Sequence, residues 1–134
     1  MQDQKTARRY KVAKGAIWII DSGCSKHMTC DKNLLSDYIE KPGPHVTFGC
    51  NSKGYTRGYG NIKVGKTTIT NVSYVEGLSH NLFSVSQFCT NGNQIVFNAN
   101  NCLVKNKEGD EILLTGKLQD GYILSSGQIR SRLV

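Results

Sequence analysis

Five apolar residues in succession, Ala16 to Ile20, run straight into an acid in the stretch "AIWIIDSGCSKHM". Their length and β-branched content predict a buried strand over residues 16–21. Asp31 then opens "DKNLLSDY", which predicts a short capped helical turn with Leu34, Leu35 and Tyr38 facing inward. "KPGPH" (Lys41 to His45) breaks the chain. "VTFGCNSKGYTRGYGNIKVGKTTITNVSYV" reads as β-rich, with Gly49, Gly54, Gly58, Gly60 and Gly65 punctuating short runs. In "EGLSHNLFSVSQF" the spacing of Leu82, Val85 and Phe88, or of Leu82, Ser86 and Cys89, predicts a short amphipathic helix ending before Asn91-Gly92. The segment from Gln94 to Ser126 predicts three or four more strands, with turns at Asn98–Asn101, Lys107–Asp110 and Gln119–Gly121. No internal repeat is visible. The pattern is therefore mostly β with one or two short helices, which a small closed or sandwiched sheet would satisfy.

At 134 residues and 38% hydrophobic, the chain fits one domain with a modest core. No apolar run approaches the ~18 residues of a membrane span, and "MQDQKTARRYKVAKG" lacks the apolar segment of a signal peptide. Both observations predict an intracellular protein without a membrane partner. The five cysteines (Cys24, Cys30, Cys50, Cys89, Cys102) are odd in number and have no disulfide-module spacing, which agrees. The net charge of +7 suggests nucleic acid until its distribution is examined. Setting aside five bases and one acid in residues 1–14, and two arginines in residues 128–134, leaves ten bases against nine acids. The basicity belongs to the ends, 1–15 and 126–134, which read as tails or linkers around a domain at 16–125. Such tails touch nucleic acid weakly at most.

Asp21 is the chemical centre of the pattern. A carboxylate at the inner end of an apolar strand is costly unless paired or hydrogen-bonded. The following Ser22 and Gly23 suit a tight turn that presents it, with backbone N–H groups close by. Alone it is a weak base, since an ordinary Asp has a pKa of ~4. Two such groups side by side share one proton, and the pair can then act as base and acid at once. The chain supplies Asp-Ser-Gly once; Asp110-Glu111 and Asp120-Gly121 sit in polar turns without a preceding apolar strand. A pair would need Asp21 from each of two identical chains on a two-fold axis.

"WIIDSGCSKHM" resembles the active-site signature of the Ty1/copia retrotransposon proteases, in the retropepsin-like aspartic protease clan. The similarity continues through "VTFGCNSKGYTRGYGNIKV", "NVSYVEGLSHNLFSVSQF" and "IVFNANNCLVKNKEGDEILLTGKLQDGYIL", over residues 16–124, and is greatest to plant-type copia elements. The resemblance implies an all-β, retropepsin-like closed barrel that acts as a two-fold homodimer. Its activity would be peptide-bond hydrolysis that matures a Gag-Pol polyprotein, in the cytoplasm within virus-like particles. Asp21 matches the catalytic aspartate, Ser22 the hydroxyl residue bracing the dyad, and Gly23 the turn glycine. Cys24 stands where Ala is common. Val46 to Tyr59 aligns with the flap hairpin, which implies substrate contacts at Phe48, Gly49, Cys50, Asn51 and Gly54. "NLFSVSQF" matches the second strand-to-helix crossing behind the active site, with Ser84 where retroviral enzymes carry glycine. The partners implied are a second copy and an extended polyprotein peptide, docked by β-augmentation. No metal and no cofactor are implied.

Other readings of the same residues compete with this one. Asp-Ser-Gly alone is a common turn tripeptide. Cys24, His27 and Cys30, with Cys50 as a fourth, give half of a zinc pattern but lack its tight paired spacings. A packed or hydrogen-bonded role for His27 follows more simply, and His45 and His80 read as loop residues. Tyr55 and Tyr59 beside Arg57 offer stacking to bases, but a place on the flap or a strand surface accounts for them better. From another functional class, the chain would be an inactive, domesticated module used for binding or assembly, or a nucleic-acid-associated spacer. The intact Asp21-Ser22-Gly23 favours catalysis.

Overall fold

A computed structural model describes residues 17–48, 52–64, 66–118 and 122–125. Among these, eleven strands alternate with one 3-10 turn and one α-helix. The strands are β1 (Ile17–Asp21), β2 (Met28–Thr29), β3 (Ser36–Glu40), β4 (His45–Phe48), β5 (Ser52–Val64) and β6 (Thr67–Glu76). After β7 (Asn81–Ser84) comes α1 (Val85–Thr90), followed by β8 (Gln94–Phe97), β9 (Asn101–Lys105), β10 (Ile112–Leu118) and β11 (Tyr122–Ser125). The mostly β expectation with short helices is met. No described helix is long and apolar enough to cross a membrane.

The strands pair in the order β3-β5-β6-β2-β7-β1-β11-β10-β9-β8, with β4 also on β5. β3 and β4 lie along one edge of β5, β3 opposite Gly58 to Asn61 and β4 opposite Ser52 to Tyr55. Most contacts are antiparallel, but β1 runs parallel to β7 and β2 parallel to β6. The expected closed barrel is not what the described strands form, because β8 pairs only with β9 and the path keeps two free ends. The sheet nevertheless curls around one main core, with a smaller cluster beside it. Trp18, Leu34, Leu35, Ile62, Val72, Phe83, Phe88, Val104 and Leu114 belong to a single buried cluster drawn from widely separated parts of the path. Each such side chain contributes roughly 1.5–3 kcal/mol on full burial.

β5 differs most from its sequence reading. Its glycines do not end short runs; they lie inside one 13-residue strand. Gly54, Thr56, Gly58, Gly60, Ile62 and Val64 form its buried face, in strict alternation with the residues between them. Glycine is required where other elements press in. A Cβ at Gly58 would run into the Tyr38 ring, and one at Gly60 would lie 2.8 Å from the Leu35 Cβ. Irregular pairing between Gly60 and Ile62 stands opposite Asn71, whose φ is +60°, and Asp37, at +53°, occupies the irregularity in β3. Asn and Asp tolerate this left-handed conformation better than other side chains.

The helix prediction is right in kind and too long. Leu82 and Phe83 belong to β7, and only Val85–Thr90 is helical, capped by the Ser84 hydroxyl accepting the Gln87 N–H at 3.1 Å. The expected turn at Asp31 is present as a 3-10 turn, Lys32–Leu34, with the Asp31 carboxylate accepting the Asn33 N–H and Leu34 and Leu35 buried. Tyr38 lies in β3. The four C-terminal strands appear as expected. The turn at Gln119–Gly121, the proposed tails at 1–15 and 126–134, and Ala16 and Gly65 fall outside the described residues.

Candidate active site

β1 carries Asp21 to the edge of the core. Trp18 is fully buried, Ile19, Ile20 and Asp21 are half-buried, and Ile17 is 46% exposed. The expected buried strand is therefore only partly so. β1 has neighbours on both sides, β7 and β11, and its Ile17–Ile19–Asp21 face keeps partial exposure among the described residues. Half-burial removes much of the cost of the carboxylate that the sequence implied, and the Gly23 N–H, donating to Asp21 Oδ1 at 2.7 Å, offsets more. Ser22 and Gly23 are exposed. The three residues of the motif thus form a tight turn at the strand end, as predicted.

The parallel pairing of β1 with β7 puts Asp21 in register with Ser84. Ser84 is fully buried, and its hydroxyl donates to the Cys24 carbonyl at 2.7 Å while capping α1. The turn after Asp21 is therefore held to the head of α1. The Cys24 thiol lies 3.7 Å from the Asp21 carbonyl oxygen. Burial, and then the Asp21 carboxylate, push its pKa up to about 11.

His27 ends this turn inside the protein at 1% exposure. Its Nδ1 accepts the Ser84 N–H at 2.9 Å and its ring packs on Phe83 with centroids 4.6 Å apart. Burial lowers its pKa to about 4. Cys30 directs its thiol at Asn81 Oδ1, 3.5 Å away. Cys24, His27 and Cys30 are thus engaged separately. No group of three or more His, Cys, Asp or Glu side chains able to hold a metal occurs among the described residues, and Cys50 lies outside them.

Two residues central to the site were not singled out from sequence. Asn81, 1% exposed at the start of β7, accepts from the Thr29 hydroxyl at 2.6 Å and the Cys30 N–H at 3.1 Å, and donates to the Ile17 carbonyl at 3.2 Å. It joins β7 to β2 and β1 by side-chain bonds. Gln87 accepts the His27 N–H at 2.7 Å and donates to the Thr70 and Asn71 carbonyls. The only available signal was an amide at the head of an apolar strand or inside a short helix, where a buried amide needs partners.

The predicted flap region forms a hairpin, β4 with β5, from His45↔Tyr55 to Phe48↔Ser52. Gly54 pairs with Val46 in its buried face, and Val46 packs on the small cluster of Met28, Val75 and Leu78. The hairpin tip, Gly49, Cys50 and Asn51, lies outside the described residues. His45 belongs to β4, its ring edge-on to Tyr55, and Arg57 on β5 pairs with Glu76 at 2.6 Å.

The family model described as "Pol polyprotein, beta-barrel domain" matches residues 18–93, more than half of the chain. A transposon Ty5-1 protein of Saccharomyces cerevisiae is 32% identical over 72 residues, covering 54% of this chain and 49% of that protein. The chain therefore spans about half the length of the curated relative that it matches. No solved structure matches it.

Proposed function

Because the chain belongs to the family of Pol polyprotein β-barrel domains, we propose that it is an aspartic endopeptidase that cuts a retrotransposon polyprotein. It works as a homodimer with one Asp21 from each copy. The observation that carries this reading is the setting of Asp21. The carboxylate ends a strand paired in parallel with β7, is braced by the Gly23 N–H at 2.7 Å, and is half open to solvent. It can receive both a water and a second carboxylate.

Four other acids among the described residues are consistent with a shared site. Asp31 caps the 3-10 turn, Asp37 accepts from Asn61, Glu76 pairs with Arg57, and Asp110 accepts from Asn106 in the β9–β10 turn. These four are committed elsewhere, and the shared site takes its second carboxylate from the Asp21 of another molecule. The partly exposed face of β1, with Ile17 46% exposed beside half-buried Ile19, gives a second copy something to cover. In the dimer the two Asp21 groups share one proton. The ionised partner draws a proton from water as that water attacks the peptide carbonyl; the protonated partner gives its proton to the carbonyl oxygen. The tetrahedral intermediate collapses with proton delivery to the leaving amine. Activity follows a bell-shaped pH profile, lost when the pair holds two protons or none. An extended substrate lies along the β4–β5 hairpin and adds backbone hydrogen bonds.

Asp21→Asn tests the reading. The amide keeps the shape and cannot serve as base, so cleavage of unfolded protein substrates across pH 4–7 is lost while the circular dichroism spectrum is unchanged. Cleavage at the unmodified rate by this variant would overturn the proposal.

A further inference from the structure

We infer that His27 is a positioning residue for the Asp21 turn: its Nδ1, by accepting the Ser84 N–H, locks Ser22–His27 to the head of α1, and a proton on that nitrogen releases the turn. Its consequence for catalysis rests on the aspartic-protease reading; the lock itself does not.

The geometry is one of repeated attachment. Ser84 grips the turn twice, through its hydroxyl at the Cys24 carbonyl, 2.7 Å, and through its N–H at the His27 ring, 2.9 Å. The backbone of His27 is held as well, its N–H by Gln87 Oε1 at 2.7 Å and its carbonyl by the Ser73 N–H at 2.9 Å. Ser84 is also the register partner of Asp21. The position of the acid relative to β7 therefore depends on bonds that converge on one serine and one histidine.

A backbone N–H donates to an imidazole nitrogen only when that nitrogen is unprotonated, so the proton of the neutral ring sits on Nε2. Protonating Nδ1 sets two N–H groups against each other inside the protein. The surroundings offer the cation no help. β7 brings Phe83 and Ser84 to the ring, Gln87 of α1 and Ser73 of β6 hold its backbone, and Phe88 and Thr70 line the same pocket; none of these titrates. A pocket of about 290 Å³ opens beside the ring between the start of β6, the end of α1 and the β9–β10 turn. Its one charged lining residue is Lys107, of like sign. On the turn itself Lys26 is exposed and the Asp21 carboxylate is engaged by Gly23. Burial accordingly lowers His27 from 6.5 to about 4. An unfolded chain takes up this proton near pH 6.5 and the folded chain only near 4. The stabilisation is complete above pH ~6.5 and is lost as pH falls through that window.

The test is an NMR titration of the isotope-labelled full chain from pH 7 to 3, following the His27 ring nitrogens and the Ser84 amide exchange rate. Two variants accompany it. His27→Asn places Oδ1 near the position of Nδ1 and cannot be protonated; His27→Phe keeps an aromatic ring and has no acceptor. In the unmodified protein, Ser84 exchange, taken relative to the intrinsic amide rate at each pH, accelerates at least tenfold as the ring titrates near pH 4. In His27→Asn it stays slow through the same range. In His27→Phe it is fast at every pH, and kcat for peptide cleavage falls about tenfold with KM little changed, most of the loss being restored in His27→Asn. Ser84 exchange indifferent to the ring titration, or equal protection in both variants, would overturn the inference. Absence of cleavage in the unmodified protein would overturn the protease reading, and the amide data would still decide the lock.

Discussion

Replacing Asn81 with leucine keeps the branched skeleton of the side chain, with bulkier methyls in place of the amide, and removes every side-chain hydrogen bond of a buried residue. Four groups on three residues are affected, the Thr29 hydroxyl, the Ile17 carbonyl and the N–H and weakly bonding thiol of Cys30, and they do not lose equally. The Thr29 hydroxyl has a second acceptor in the Asp31 carbonyl at 3.3 Å, and the Ile17 carbonyl belongs to a residue 46% exposed, so water can reach it. The Cys30 N–H is the group left with least recourse, since its bond runs to Asn81 Oδ1 at 3.1 Å in a half-buried setting. A buried donor deprived of its acceptor costs about 1–3 kcal/mol, and partial losses at the others bring the net effect of Asn81→Leu to about 2 kcal/mol. Domains of this kind are stable by only about 5–15 kcal/mol, so the loss is large. With a urea dependence of about 1.5 kcal/mol per molar, the unfolding midpoint falls by about 1.3 M. A double-mutant cycle with Thr29→Val adds specificity, because the two residues share a 2.6 Å bond and their effects are less than additive. A midpoint within about 0.3 M of the parent, or strict additivity, would refute the account of Asn81 as the joint between β7, β2 and β1.

Further expectations concern association and the thiol beside the acid. The proposed dyad, half of it per chain, requires specific activity to rise with protein concentration until dimer saturates, and sedimentation run beside dilution assays checks this; full activity per chain in monomer would exclude the shared site. With its pKa near 11, Cys24 is carboxymethylated at pH 8 about 100-fold more slowly than an ordinary exposed thiol. Exposed Cys89 serves as the internal reference by peptide mass spectrometry. Asp21→Asn removes the second cause of that raised pKa, so Cys24 should label faster in that variant.

Several features were legible in the chain itself because their causes are local. Apolar residues followed by Asp-Ser-Gly specify a strand that ends in a turn around a carboxylate, and the Gly23 N–H on Asp21 Oδ1 spans only two positions. Asp31 capping Asn33 and Ser84 capping Gln87 are likewise contacts between near neighbours, as are the turns between the last strands. Tertiary structure decided everything that depends on which strand lies beside which. Pairing β1 with β7 in parallel joins residues 63 positions apart, and no period within either segment announces the register Asp21↔Ser84. The glycines of β5 looked like turns because a missing Cβ has the same local signature whether the chain bends or a neighbour presses in. Only the approach of Leu35 and Tyr38 distinguishes the two. The apolar run at Ile17–Ile20 predicted burial, yet Ile17 is exposed and Ile19 half-buried, because hydrophobicity measures only the tendency to be covered and the packing of the described residues covers Trp18 on the other face of the strand. Asn81, Gln87 and His27 acquire their roles from partners up to 64 residues away, and burial then makes each unpaired polar group costly enough for those bonds to hold the acid in place.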